Sequence, residues 1–138
     1  MKLKLKQGDL KAIAAHALKS YPKEGCGVLL GNFKKNAIDV MEVVEAKNVK
    51  GSPVEFEADP QLVFEAFKRG EKKGLDLVGI YHSHPNMGAF VSSRDAEIMK
   101  LWPGTAWLIL GVAKNKVDEQ KAYILKNGVI EELDIEVS

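Results

Sequence analysis

The sequence predicts an α/β fold of the α+β type, a mixed β-sheet flanked by about three helices, in one domain spanning residues 1–138. Three observations carry that prediction. Two stretches place apolar residues at helical spacing and a third opens on a helix start signal. Between them lie short apolar runs rich in Val, Ile and Leu, bounded by Gly, Pro, Asn or Asp. Near the C-terminus Asn127-Gly128 separates two alternating segments, the strongest short-range hairpin signal in the chain.

Leu3 and Leu5 alternate with lysines, so residues 2–6 read as a short strand with one buried face. Leu10, Ile13, Ala14, Ala17 and Leu18 then form one helical stripe, with Gly8 or Asp9 as cap and Pro22 at the end. His16 lies off that stripe and reads as solvent-exposed. After Tyr21-Pro22-Lys23, the stretch Glu24-Gly25-Cys26-Gly27-Val28-Leu29-Leu30-Gly31 sets an acid at the mouth of a buried strand. By residue type alone Glu24 reads as a solvated turn residue and Cys26 as a small buried apolar one. Ile38 to Val44 reads as a strand, and Val54-Glu55-Phe56-Glu57 as a shorter one able to pair with it. Asp59 caps and Pro60 opens a second helix that buries Leu62, Val63, Ala66 and Phe67 and ends at Lys72-Lys73-Gly74. A third helix runs from Ser93 to about Leu101, stopped by Pro103-Gly104, and Thr105 to Ala113 is a buried strand. Lys121–Lys126 and Val129–Val137 flank the hairpin turn, with Val129, Leu133, Ile135 and Val137 on one face.

Composition narrows the function. Hydrophobic residues make up 46% and charged ones 28%, as in ordinary globular domains, and a formal charge of +1 gives no general pull on nucleic acid. The longest apolar run, Ala106 to Ala113, is too short to span a bilayer, and Met1 to Lys6 lacks the apolar stretch of a signal peptide. A single cysteine forms no intrachain disulfide. The expected location is cytoplasmic, with neither nucleic acid nor membrane as a partner.

The chemistry concentrates at His82-Ser83-His84-Pro85, followed after six residues by Ser92-Ser93-Arg94-Asp95. The apolar run Leu77 to Tyr81 is a strand, and its period of two aims His82 and His84 the same way. Pro85 stops the strand, and Ser92 with Asp95 three residues later offers a capping box that returns a carboxylate toward the imidazoles. Two neutral imidazoles and one carboxylate leave the fourth position of a tetrahedral zinc open, the ligand count of a catalytic centre and not of a structural one.

These spacings, together with Glu24-Gly25-Cys26-Gly27 upstream and the Asp59-Pro60 helix, closely resemble the JAMM (MPN+) zinc metalloproteases of compact prokaryotic type, over about Leu10 to Leu110. The resemblance implies the JAMM/MPN (cytidine-deaminase-like) core and a Zn²⁺ held by His82, His84 and Asp95. It makes Glu24 the general base, reversing the reading from residue type, and gives Ser92 a part in stabilising the oxyanion. An acid that is not a ligand suits the chemistry, since the attacking water loses a proton and the departing amine gains one. The resemblance further implies hydrolysis of a peptide or isopeptide bond at the C-terminus of a ubiquitin-like or sulfur-carrier protein ending in Gly-Gly. The chain has little room for the insertions of ubiquitin-chain-cleaving members, which favours a small carrier. Gly88 and Ala89 are expected to leave space near the metal for a slim tail.

Three other protein classes share parts of this pattern. Zinc deaminases need a Pro-Cys-x-x-Cys pair, which one cysteine cannot supply. RadC-like proteins associated with DNA repair share the His-x-His-Pro pattern but usually add an N-terminal helical region. Non-catalytic MPN scaffolds typically lose a ligand, and this chain keeps all of them.

Overall fold

A computed structural model describes residues 1–138. The chain forms β1 (Lys2–Leu5), α1 (Gln7–Ser20), β2 (Cys26–Phe33), β3 (Ala37–Ala46), α2 (Pro60–Lys72), β4 (Asp76–Pro85), α3 (Ser93–Met99), β5 (Ala106–Val112), β6 (Val117–Lys126) and β7 (Val129–Val137). The strands join in the order β1-β3-β2-β4-β5-β6-β7 and close on themselves where β7 meets β1. The sheet is mixed, as expected: β1 runs parallel to both β3 and β7, β4 runs parallel to β5, and the other pairs are antiparallel.

Alternation along the strands sorts the side chains into two layers. Leu3, Leu29, Ile38, Val78, Tyr81, Leu108, Leu110 and Leu133 form one core with Ile13 and Ala17 of α1. Each fully buried aliphatic side chain there contributes about 1.5–3 kcal/mol. The opposite face of β2 and β4 is covered as well, because α2 lies against β2, β3 and β4. That second cover explains why Cys26 to Gly31 is buried at every position instead of alternating. Gly27 is required between the layers, since a Cβ there would lie 2.2 Å from the Tyr81 ring.

Several expectations change. Val54 to Glu57 is not a strand; Asn48 and Ala58 make an isolated bridge, and β3 pairs with β1 and β2 instead. Val54 is 65% exposed, and the segment is tied down without a continuous ladder: the Glu57 N–H donates to the Asn48 side chain and the Glu57 carbonyl accepts from the Val49 N–H. Helix α1 begins at Gln7 after Lys6, and Asp9 sits inside its first turn, where a carboxylate faces the helix N-terminus. In α2 the small residues Ala66 and Gly70 face the strands, which leaves Phe67 45% exposed at the margin. Helix α3 ends at Met99 and β6 starts earlier, at Val117. Of the four β7 residues expected on one buried face, Leu133 is buried and Ile135 half-buried, while Val129 and Val137 at the strand ends reach solvent. The Asn127-Gly128 turn forms with both residues at positive φ, 52° and 77°. No helix is long and apolar enough to cross a membrane.

Candidate metal centre

Strand β4 carries His82 and His84 out of the sheet on one face, with their Nε2 atoms 3.1 Å apart. The chain turns at Asn86 and returns at Ser92, which caps α3. Ser92 Oγ accepts from the Asp95 N–H at 3.0 Å, and the Ser92 N–H donates to Asp95 Oδ2 at 3.1 Å, so the capping box holds the carboxylate by both ends. Asp95 Oδ1 then lies 3.1 Å from His82 Nε2, and Oδ2 3.1 Å from His84 Nε2.

The protons of this cluster test whether it suits a cation. His84 Nδ1 faces the Gly88 carbonyl at 3.1 Å, and a carbonyl only accepts, so Nδ1 carries a hydrogen. A neutral His84 therefore points the Nε2 lone pair at a carboxylate oxygen that also only accepts. Either the ring is an imidazolium or a cation lies among these atoms. The separations fit both arrangements: 3.1 Å is an ordinary hydrogen-bond length, and it also approaches the edge of a tetrahedron, roughly 3.3 Å, for zinc bonds of about 2.0 Å. Glu24, His82 and His84 also present ligand atoms within 4.8 Å of one another, so a second carboxylate borders the same space.

Glu24 arrives from the mouth of β2. The Gly25 N–H donates to Ser83 Oγ at 2.8 Å and the Ser83 N–H to the Gly25 carbonyl at 3.0 Å, which bolts this corner to the histidine strand. The Glu24 N–H donates to the Ser52 carbonyl, and Asn48 Nδ2 donates to the Glu24 carbonyl at 2.9 Å. All four groups are shut from solvent, Glu24 included at 5% exposure. Burial pushes the Glu24 carboxyl up to about 7. Burial acts the same way on Asp95, but His82, His84 and the Ser92 N–H outweigh it and hold that carboxyl well below the usual carboxylate range. Burial lowers the His82 pKa; at His84 the same burial is outweighed by Asp95 and the Gly88 carbonyl, and its pKa rises. Phe56 stacks on His82, with ring centroids 4.4 Å apart, and Phe90 meets His84 edge-on at 5.4 Å.

Residues 6–123 match the family model described as prokaryotic homologs of the JAB domain. The chain belongs to that family. A desampylase of Pyrococcus furiosus is 42% identical over 110 residues, 78% of this chain and 72% of that protein. A probable TtuB-protein conjugate cleaving protease of Thermus thermophilus is 35% identical over 88% of this chain and 75% of its own. The solution structure of a protein from Desulfitobacterium hafniense superposes with a TM-score of 0.86 at 28% identity, covering 99% of this chain and 92% of that one.

This JAB domain therefore gathers Glu24, His82, His84 and Asp95 in one closed cluster, with Ser92 half-buried at its edge. Glu24 is not the solvated turn residue its type suggested. His16 is not solvent-exposed either: it is half-buried, its Nδ1 lies 2.6 Å from the Tyr81 hydroxyl, and burial lowers its pKa. Cys26 is buried as expected, its thiol pushed up to about 12 by that burial. Gly88 and Ala89 do not open space beside the candidate centre. A Cβ on Gly88 would lie 2.8 Å from Glu119 Oε1, and Ala89 is buried against β6, so their small size serves packing. Sequence reasoning missed Ser83, Asn48 and Phe56. A polar residue between two histidines on a buried strand is a signal for Ser83; nothing local marks Asn48. An apolar groove of the JAB domain, lined by Phe33, Phe64, Phe67 and Trp102, lies beside the centre and shares Phe56 with it.

Proposed function

We propose that this JAB domain is a zinc peptidase that hydrolyses a peptide or isopeptide bond at the C-terminal Gly-Gly of a ubiquitin-like or sulfur-carrier protein. The observation that carries the metal reading is the His84 ring, whose Nδ1–H is committed to Gly88 and whose Nε2 faces the Asp95 carboxylate. In this reading His82, His84 and Asp95 hold the ion. Zinc held there supplies Lewis acidity toward the scissile carbonyl and toward a water. Glu24 takes the proton of the attacking water and returns it to the departing amine, a task that suits a carboxyl near 7. The Ser92 Oγ already accepts from Asp95 N–H, so its own hydrogen is free to meet the developing oxyanion.

The substrate class is supported by the names of the relatives, a desampylase, a TtuB-conjugate protease and, at 24% identity, a CysO-cysteine peptidase of Mycobacterium tuberculosis. The Gly-Gly preference is supported by the closed centre between Phe56 and Phe90, which suits a chain without side chains. The same reading puts the enzyme in the cytoplasm, acting on a protein tail and not on nucleic acid or membrane. Incubating the zinc-loaded protein with carrier-protein fusions and reading the cut by intact mass tests it. Cleavage is expected after the last glycine, and a Gly→Val change there is expected to cut kcat/KM sharply, because a β-branched side chain does not fit. Efficient cleavage of lysine-linked ubiquitin chains, or of unfolded peptides at many sites, would overturn the carrier reading. Stoichiometric zinc without activity on any such tail would favour a binding scaffold.

A further inference from the structure

One row of outward-facing positions crosses three strands beside the metal centre. His84 pairs with Gly111 between β4 and β5, and Gly111 pairs with Glu119 between β5 and β6. Paired residues share a face, so these three lie in line, with Tyr123 four residues beyond Glu119 on the same face. Gly111 leaves the middle of the row without a side chain. The segment leaving Pro85 folds back over that gap: a Cβ on Gly111 would lie 2.6 Å from the Met87 carbonyl oxygen, and the Asn86 N–H donates to the Val112 carbonyl.

Folded this way, the Gly88–Ala89 peptide lies between Glu119 and His84. Its N–H, contributed by Ala89, donates to Glu119 Oε1 at 2.6 Å. Its carbonyl, contributed by Gly88, faces His84 Nδ1 at 3.1 Å. A planar peptide joins these two hydrogen bonds rigidly, and an anionic acceptor on the N–H polarises the carbonyl at the other end. Tyr123 holds the next peptide, its hydroxyl donating to the Ala89 carbonyl at 2.7 Å. We propose that Glu119 is a positioning residue for His84, acting through the Gly88–Ala89 peptide to fix the ring orientation and the Nδ1–H tautomer, with Tyr123 holding the far side of Ala89. The arrangement is a carboxylate–histidine pair with a peptide inserted, and hydrogen-bond partners of this kind tune metal ligands. The proposal rests on reading His84 as a ligand.

The full chain tests it with Glu119→Ala, Glu119→Gln and Tyr123→Phe. Zinc affinity by chelator competition is expected to fall about 10-fold in Glu119→Ala, by less in Tyr123→Phe, and to be largely restored in Glu119→Gln, whose amide oxygen still accepts. ¹⁵N spectra of the metal-free protein are expected to show a protected, hydrogen-bonded Nδ1–H of His84 in the parent, and faster Nδ1–H exchange in Glu119→Ala. Unchanged zinc affinity together with an unchanged His84 ring, even where the melting temperature falls, would make Glu119 a loop clamp only and overturn the proposal. A parent chain that binds no zinc would overturn the metal reading instead, and the ring spectra would still decide the role of Glu119.

Discussion

The centre has two banks built in opposite ways. On one, His82, His84, Ser92 and Asp95 come from a single stretch, and Asp95 is fixed by contacts with both imidazoles and by the Ser92 N–H. On the other, Glu24 is held through main-chain groups, by Ser52, Asn48 and the Gly25–Ser83 bonds, and its carboxyl meets its surroundings only through space. Two buried carboxyls therefore behave differently: the first is kept ionised by its hydrogen bonds, the second is pushed by burial toward the protonated form. Environment thus divides the labour, leaving one acid suited to hold a cation and one to carry a proton.

The largest expected effects come from the first bank. His82→Ala or His84→Ala is expected to abolish stoichiometric zinc and activity, because either leaves too few protein ligands. Asp95→Ala is expected to do the same while weakening α3 by about 1 kcal/mol through the lost cap partner. Metal analysis alongside thermal unfolding checks both, and full zinc in the histidine variants would remove them from the site.

On the second bank, Glu24→Gln is expected to keep zinc and fold while losing turnover by about 10²–10⁴-fold, since an amide cannot shuttle a proton. It also carries a pH signature in the metal-free protein. With a value of about 7 folded against 4.5 unfolded, the folded chain binds more protons in between, so this group's contribution to stability is full below about 4.5 and is lost as pH rises toward 7. Urea unfolding across that window is expected to show Glu24→Gln gaining on the parent as pH rises. A constant gap would mean that Glu24 is not buried as described.

Ser92 belongs to the first bank as the cap of α3. Ser92→Ala is expected to cost about 10²–10³-fold in rate if the hydroxyl meets the oxyanion. A lower melting temperature with a normal rate would leave it as the cap of α3 alone.

Legibility in the sequence follows the same division. The first bank was readable because its signals are local: period two aims the histidines, and a capping box returns Asp95. Glu24 was not readable from residue type, because its burial depends on Ser83, which lies 59 positions away. The fold divides likewise. Helix α2, its Asp59 cap and the Asn127-Gly128 turn are short-range decisions, whereas closure of the sheet rests on Lys2–Leu5 meeting Asp134–Val137 from the other end of the chain. Val54 to Glu57 misled because alternation resembles a strand even where an isolated bridge and an asparagine side chain take the place of a ladder.

That asparagine gives the smallest predicted effect and the finest test of the two-bank comparison. Asn48 uses its whole side-chain amide: Nδ2 donates to the Glu24 and Glu55 carbonyls at 2.9 and 3.0 Å, and Oδ1 accepts from the Lys50 and Glu57 N–H groups at 3.1 and 3.0 Å. It thus ties the segment bearing Phe56 to the corner that carries Glu24, and it touches none of the proposed ligands. Asn48→Ala is expected to lower stability by about 1–2 kcal/mol and turnover by about 10-fold, through misplacement of Glu24, while zinc affinity stays within about 2-fold of the parent. Asn48→Asp separates the two halves of the amide, since it still accepts from Lys50 and Glu57 but cannot donate to Glu24. If the aspartate restores stability and not turnover, donation to the Glu24 carbonyl is what places the base. If Asn48→Ala instead lowers zinc affinity as much as turnover, the two banks are one cooperative unit and the division of labour drawn between them is wrong.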